Sequence, residues 1–167
     1  TEEDKIISID KETHEIKKVI DLEELFINYR QNLDSSQDEV LDWMHINALQ
    51  LIDKDSLIIS SRETSTIIKI NSIYDYMIGS PLFWQESGYD EFLLTQIGDF
   101  SLNAGQHCVT YQQDDKLADG QYYLYFYNNN NTISTTRDYD YTNDPYYYDT
   151  GKGNKGKQSY YYKYLID

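Results

Sequence analysis

The chain has 167 residues, enough for one domain or for a piece of a larger one. With 14 Lys and Arg against 29 Asp and Glu it carries a formal net charge of −15, which argues against gripping nucleic-acid phosphates or docking on anionic lipid. Its single Cys, Cys108, excludes an internal disulfide and a cysteine-based metal cluster, and no apolar run approaches the ~20 residues that span a bilayer.

Eighteen tyrosines separate the chain from disordered acidic sequences, which are poor in aromatics, and predict a core built partly on Tyr. Asp4–Asp10 (DKIISID) and Glu15–Asp21 (EIKKVID) flank a polar turn and read as a β-hairpin. Leu22, Leu25, Phe26 and Tyr29 fall at helical spacing and predict a short helical stretch, followed by a polar loop over 30–39. Four strands joined by short turns follow: Asp42–Ile52, Ser56–Arg62, Thr66–Ile73 and Tyr74–Ile78. Such strands pair in succession as a four-stranded antiparallel meander, which at roughly 40 residues is also the size of a β-propeller blade. A short helix is expected near Asp90–Gln96. Gly105–Gln112 and Gly120–Asn128 read as strands around a polar turn, 132–157 as a long excursion, and Ser159–Ile166 as the last strand. Helix is too sparse for an α/β fold, so the fold class is all-β, built of antiparallel meander sheets with few short helices.

Three histidines are the candidates for chemistry. His14 sits in the first hairpin turn and reads as an exposed turn residue. His45 lies in Asp42-Trp43-Met44-His45-Ile46-Asn47, where strand alternation would put Trp43, His45 and Asn47 on one face and Met44, Ile46 and Ala48 on the other. That face would join an aromatic wall, an imidazole and an amide; a core His bonded to a backbone carbonyl fits the local pattern equally well. Arg62 ends the next strand, so hairpin pairing brings it to the same end of the sheet as His45; pairing with Glu63 is the ordinary fate of such an Arg. His107 stands in Gly105-Gln106-His107-Cys108-Val109. A Cys108–His107 dyad is disfavoured because adjacent strand residues face opposite ways, and Cys108 reads instead as a small buried apolar residue. Phosphate-loop, dinucleotide, zinc-protease and serine-hydrolase motifs are absent from the sequence, and the acidic stretch 138–149 lacks the spacing of a calcium loop. No metal site or cofactor is predicted.

The motif Asp42-Trp43-x-His45-x-Asn47, the strand ending Ser60-Ser61-Arg62, the Thr66-Ile67-Ile68-Lys69-Ile70 strand and Gln106-His107 together resemble the bacterial arylsulfate sulfotransferases that work without a nucleotide sulfate donor. Tyr123–Asn130 is similar to the family's strand ending in Phe-Asp-Asn, with Tyr127 where the family has Asp. Ser159–Asp167 resembles a later family strand, with Tyr160 in place of Arg. The resemblance implies a six-bladed β-propeller and transfer of a sulfuryl group from an aryl sulfate donor to a phenol acceptor through a covalent sulfohistidine, with ping-pong kinetics. By position it makes His107 the nucleophile, and His45 and Arg62 the residues that hold and neutralise the sulfuryl oxygens. Trp43 and Asn47 are then expected at the substrate. A neutral imidazole suits this role near pH 7, and a forked Arg beside a second His suits a charged transferring group.

Six blades of about 40 residues exceed 167 residues, so residues 1–167 are expected to form a partial propeller of roughly three blades, truncated at the N-terminus. The family's further upstream His has no counterpart in His14, which replaces a turn Gly. An open arc of blades exposes strand edges and is expected to pair as a homodimer. The resemblance also implies an extracytoplasmic location. The competing reading is a non-catalytic β-propeller module that binds a ligand or surface partner through its Tyr-rich face.

Overall fold

The computed structural model describes residues 4–33, 42–71, 73–79, 81–98, 100, 103–129 and 159–167. Most of the predicted loop at 30–39, and the whole excursion at 132–157 with its acidic stretch, lie outside them. The described residues form three antiparallel sheets and a few short helices, an all-β fold in which no sheet closes on itself.

The first hairpin pairs β1 (Lys5–Ile9) with β2 (Ile16–Asp21). Asp10 makes its turn, Oδ1 accepting from the N–H groups of Glu12 at 3.0 Å and Thr13 at 2.8 Å, and His14 is exposed with a left-handed φ of 59°. Asp21 then ends the strand and caps the helix. Its Oδ1 accepts from Glu23 N at 3.1 Å and Glu24 N at 3.3 Å, two donors that α1 (Leu22–Leu25) leaves unpaired. α1 and the following α2 (Ile27–Gln31) bury Leu22, Phe26 and Tyr29.

The central sheet is the expected meander, β3 (Ile46–Leu51), β4 (Ser56–Ser61), β5 (Thr66–Asn71) and β6 (Ile73–Gly79), in that order. Its middle strands are buried on both sides, which is why they read as continuous apolar runs rather than as alternating ones. On one side Ile59, Ile68 and Ile70 pack with Leu22, Phe26, Tyr29, Trp43, Met44, Phe83 and Trp84. On the other, Ile58 and Ile67 pack with Val109, Tyr122, Leu124, Phe126 and Ile166. Each such side chain contributes roughly 1.5–3 kcal/mol through burial, so the central sheet is held between two cores.

Two expectations fail around this sheet. The first strand begins at Ile46, not Asp42, because His45 adopts a left-handed φ of 49° and breaks the extended run. The helix expected near Asp90–Gln96 is only a 3₁₀ turn at Asp90–Phe92; the true helix is α3 (Pro81–Ser87), which delivers Phe83 and Trp84 to the first core.

The third sheet orders β7 (His107–Gln112), β8 (Tyr122–Asn128) and β9 (Tyr160–Ile166). β8 alternates cleanly: Tyr122, Leu124, Phe126 and Asn128 are buried, while Tyr123, Tyr125 and Tyr127 turn the other way. Lys163 on β9 covers that second face, its Nζ 3.6 Å from the Tyr123 ring centroid. The register of β7 against β8 slips between His107 and Thr110, with Cys108 at a φ of 56°. That bulge turns Cys108 out of the alternation and leaves it exposed, correcting its reading as a buried residue. No helix among the described residues is long and apolar enough to cross a membrane.

Candidate active site

The sequence-predicted residues gather at one end of the central and third sheets. β3 begins there, β4 ends there, β5 and β7 begin there, and β8 ends there. β3 and β7 lie side by side, and side chains stitch them together. Asn47 Nδ2 donates to Gln106 O at 2.8 Å. Gln50 acts as a surrogate strand, its Nε2 donating to Tyr111 O at 3.2 Å and its Oε1 accepting from Tyr111 N at 2.7 Å.

Trp43-Met44-His45 is clamped onto the end of β4. Met44 O accepts from Ser61 Oγ at 2.5 Å and Glu63 N at 3.3 Å, and His45 O accepts from Arg62 N at 3.1 Å. The alternation expected for this segment does not hold. Trp43 and Met44 are both fully buried in the first core, with the Trp43 ring 6.2 Å from that of Tyr29. Trp43 therefore has no exposed surface on which a substrate ring could stack, whereas His45 and Asn47 remain partly exposed. His45 Nδ1 donates to the Asp42 carboxylate, which keeps a proton on that nitrogen.

Arg62 stands at the expected end of the sheet, and its Nη1 donates to Glu63 Oε1. The Glu63 side chain is only 3% exposed against 28% for Arg62, so the carboxylate is the buried anchor and the guanidinium the accessible head.

His107 is placed by the segment before it, which is bolted to the β4–β5 turn. Gln106 is fully buried; its Nε2 reaches Ser60 Oγ at 3.0 Å, Ser61 O at 2.9 Å and Thr66 O at 2.9 Å. Asn103 Nδ2 donates to Gln106 Oε1 at 2.8 Å and to Ser65 O at 2.9 Å, while Gly105 N donates to Ser65 Oγ at 3.0 Å. From the other side Asn128 Oδ1 accepts from Ala104 N at 2.8 Å. Gly105 holds a φ of 59°, a conformation that suits glycine and lets the chain turn into β7. His107 thus enters the site on a short segment held on both sides by side-chain hydrogen bonds.

Electrostatics ties the three residues together. Partial burial pushes the His107 pKa below its ordinary 6.5; a ring hydrogen bond to the Gly105 carbonyl opposes this, and the nearby charges of Arg62 and His45 add to the depression. The imidazole is therefore neutral, and nucleophilic, at neutral pH. Among the described residues no group of three or more His, Cys, Asp or Glu is placed to hold a metal. Sequence reasoning named Glu63 as the ordinary partner of Arg62, which the structure shows, but missed Asn103 and Asn128, and it read Asp42 and Gln106 only as parts of motifs.

A model of the arylsulfotransferase (ASST) family matches residues 1–167. The chain belongs to the arylsulfotransferase family. Aryl sulfate donors and phenol acceptors are the substrates that this family implies. No curated protein and no solved structure gives a significant match to the chain. Within the arylsulfotransferase sequence, the resemblance noted at the two His segments falls on the residues that the fold brings to one end.

Proposed function

We propose that this chain carries a sulfuryl-transfer centre in which His107 is the nucleophile and His45 and Arg62 bind the transferring group. The observation that carries the reading is the convergence of His45, Arg62 and a neutral His107, close enough for the first two to depress the pKa of the third. In the first half-reaction an imidazole nitrogen attacks sulfur, an N–S bond forms, the aryl S–O bond breaks and a phenolate leaves. In the second, a phenol passes its proton to His45 Nε2 and attacks the same sulfur, the N–S bond breaks and its electron pair returns to the His107 ring. Arg62 faces charge that stays on the sulfuryl oxygens throughout, and His45, with Nδ1–H committed to Asp42, turns Nε2 to the leaving oxygen, donating there when the ring is cationic and taking the acceptor phenol's proton when it is neutral. Asn47 is tied through Nδ2 to Gln106 O and its Oδ1 is buried, so its role is to hold the β3–β7 junction that places His107 beside His45. Trp43 serves the core.

Stacked meander sheets with β3 and β7 adjacent support an arc of propeller blades around a shared axis. The experiment is steady-state kinetics with a chromogenic aryl sulfate and a varied phenol. Parallel double-reciprocal lines are expected. Donor turnover that ignores added phenol would mean water is the acceptor and would overturn the transferase reading.

The exposed Tyr127 and Tyr161, cross-strand partners on the third sheet, favour a second reading, a ligand-binding module without chemistry. Ligand binding that survives His107→Ala but is lost on Tyr161→Ala would support it.

A further inference from the structure

His107 pairs across the sheet with Tyr127, so the residue two further along, Asn129, lies diagonally opposite on the same face. Its side chain reaches the histidine: the carboxamide nitrogen is 2.8 Å from His107 Nδ1. Its backbone is held in turn, Asn129 O accepting from Ser159 Oγ at 3.4 Å. The two ends of a carboxamide have nearly the same shape, and a half-turn exchanges Nδ2 for Oδ1 at this position.

The two orientations have different chemical consequences. If the amide N–H donates, the Nδ1 lone pair is occupied and the single proton of the neutral ring sits on Nε2. Neither nitrogen can then attack. If Oδ1 accepts, the ring proton, for which the Gly105 carbonyl is also an acceptor, sits on Nδ1 and Nε2 keeps its lone pair. When that lone pair forms the N–S bond and the aryl S–O bond breaks, the ring becomes cationic. The Nδ1–H···Oδ1 bond then strengthens, because its donor has become charged.

We propose that Asn129 is a positioning residue whose carboxamide oxygen holds the Nδ1–H tautomer of His107 and so presents Nε2 to the sulfur. The proposal rests on the reading of His107 as the nucleophile, and the test separates the two. The ¹⁵N spectrum of His107 is recorded at pH 7.5 for wild type, Asn129→Ala and Asn129→Asp, and the rate at which His107 acquires a sulfuryl group is measured with an aryl sulfate and no acceptor. The expected wild-type ring is protonated at Nδ1 and bare at Nε2. Asn129→Ala shifts population to the Nε2–H tautomer and slows labelling by about tenfold, the loss of one good hydrogen bond. Asn129→Asp keeps the Nδ1–H tautomer and moves the acid limb of the labelling rate to higher pH, because a carboxylate favours the imidazolium. A wild-type proton on Nε2, or an Asn129→Ala chain with unchanged tautomer and labelling rate, overturns the proposal. The expected tautomers without label on wild-type His107 would uphold the role of Asn129 in setting the proton and overturn only the nucleophile reading.

Discussion

Gln106 is the residue on which the geometry of the site depends most, and its replacement gives a quantitative test. Its side chain is fully buried, and Nε2 faces the carbonyl oxygens of Ser61 and Thr66 at 2.9 Å each. Gln106→Ala removes both donations, along with the acceptor for Asn103 Nδ2. A buried polar group that loses its partner costs about 1–3 kcal/mol. Asn103 keeps its bond to Ser65 O, so the two carbonyls dominate. The expected loss is about 2–4 kcal/mol, less where water enters the cavity. For a chain of this size that lowers the melting temperature by roughly 5–15 °C. Urea unfolding followed by tyrosine and tryptophan fluorescence measures it. Gln106→Glu adds a sharper signature: at neutral pH its carboxylate meets two carbonyl oxygens and destabilises at least as much as Ala. Its folded-state pKa is then raised, so the stability deficit shrinks as falling pH protonates the carboxyl and restores a donor. A Gln106→Ala loss under about 1 kcal/mol, or a Gln106→Glu deficit that does not respond to pH, would refute the bolt.

Three further outcomes follow from the same geometry. The acid limb of the donor half-reaction should fall below pH 6.5, because burial and the charges of Arg62 and His45 hold His107 neutral; a single-turnover pH profile locates it, and a limb above 6.5 would contradict the depression. Glu63→Gln removes the charge that partly neutralises Arg62. The KM for an aryl sulfate should fall by up to about fivefold, the equivalent of ~1 kcal/mol, with a steeper dependence on salt; an unchanged KM would mean that Arg62 does not touch the donor. Trp43→Ala should cost about 3–5 kcal/mol of stability, as for other buried aromatics. In the surviving folded fraction it should leave the ranking of aryl donors unchanged; a reordered ranking would put the indole at the substrate after all.

The meander was legible because β4 and β5 are apolar runs separated by short polar turns, and burial on both faces demands that pattern. The meeting of Arg62 with the His45 segment followed from hairpin pairing alone. The start of β3 was not legible, since alternation presumes extended backbone and His45 departs from it. For the same reason Trp43 was assigned to the wrong side, and the bulge at Cys108 defeated the same rule in β7. The helix α3 did carry a signal: Pro81 stands at its first position, where a missing N–H costs nothing. Gln106 could be noticed as part of a motif but not understood, because its partners lie 40 to 46 residues away. Asn129 likewise meets His107 only through the β7–β8 register.

The central claim is that His107 carries the sulfuryl group. The most direct measurement is peptide mass mapping after exposure to a reactive aryl sulfate without acceptor, with alkaline work-up to preserve an acid-labile N–S bond. The account predicts one added sulfuryl group on the peptide containing His107, lost when a phenol is supplied. A label on the His45 peptide instead, or a folded and unlabelled chain that still turns over donor, would contradict it.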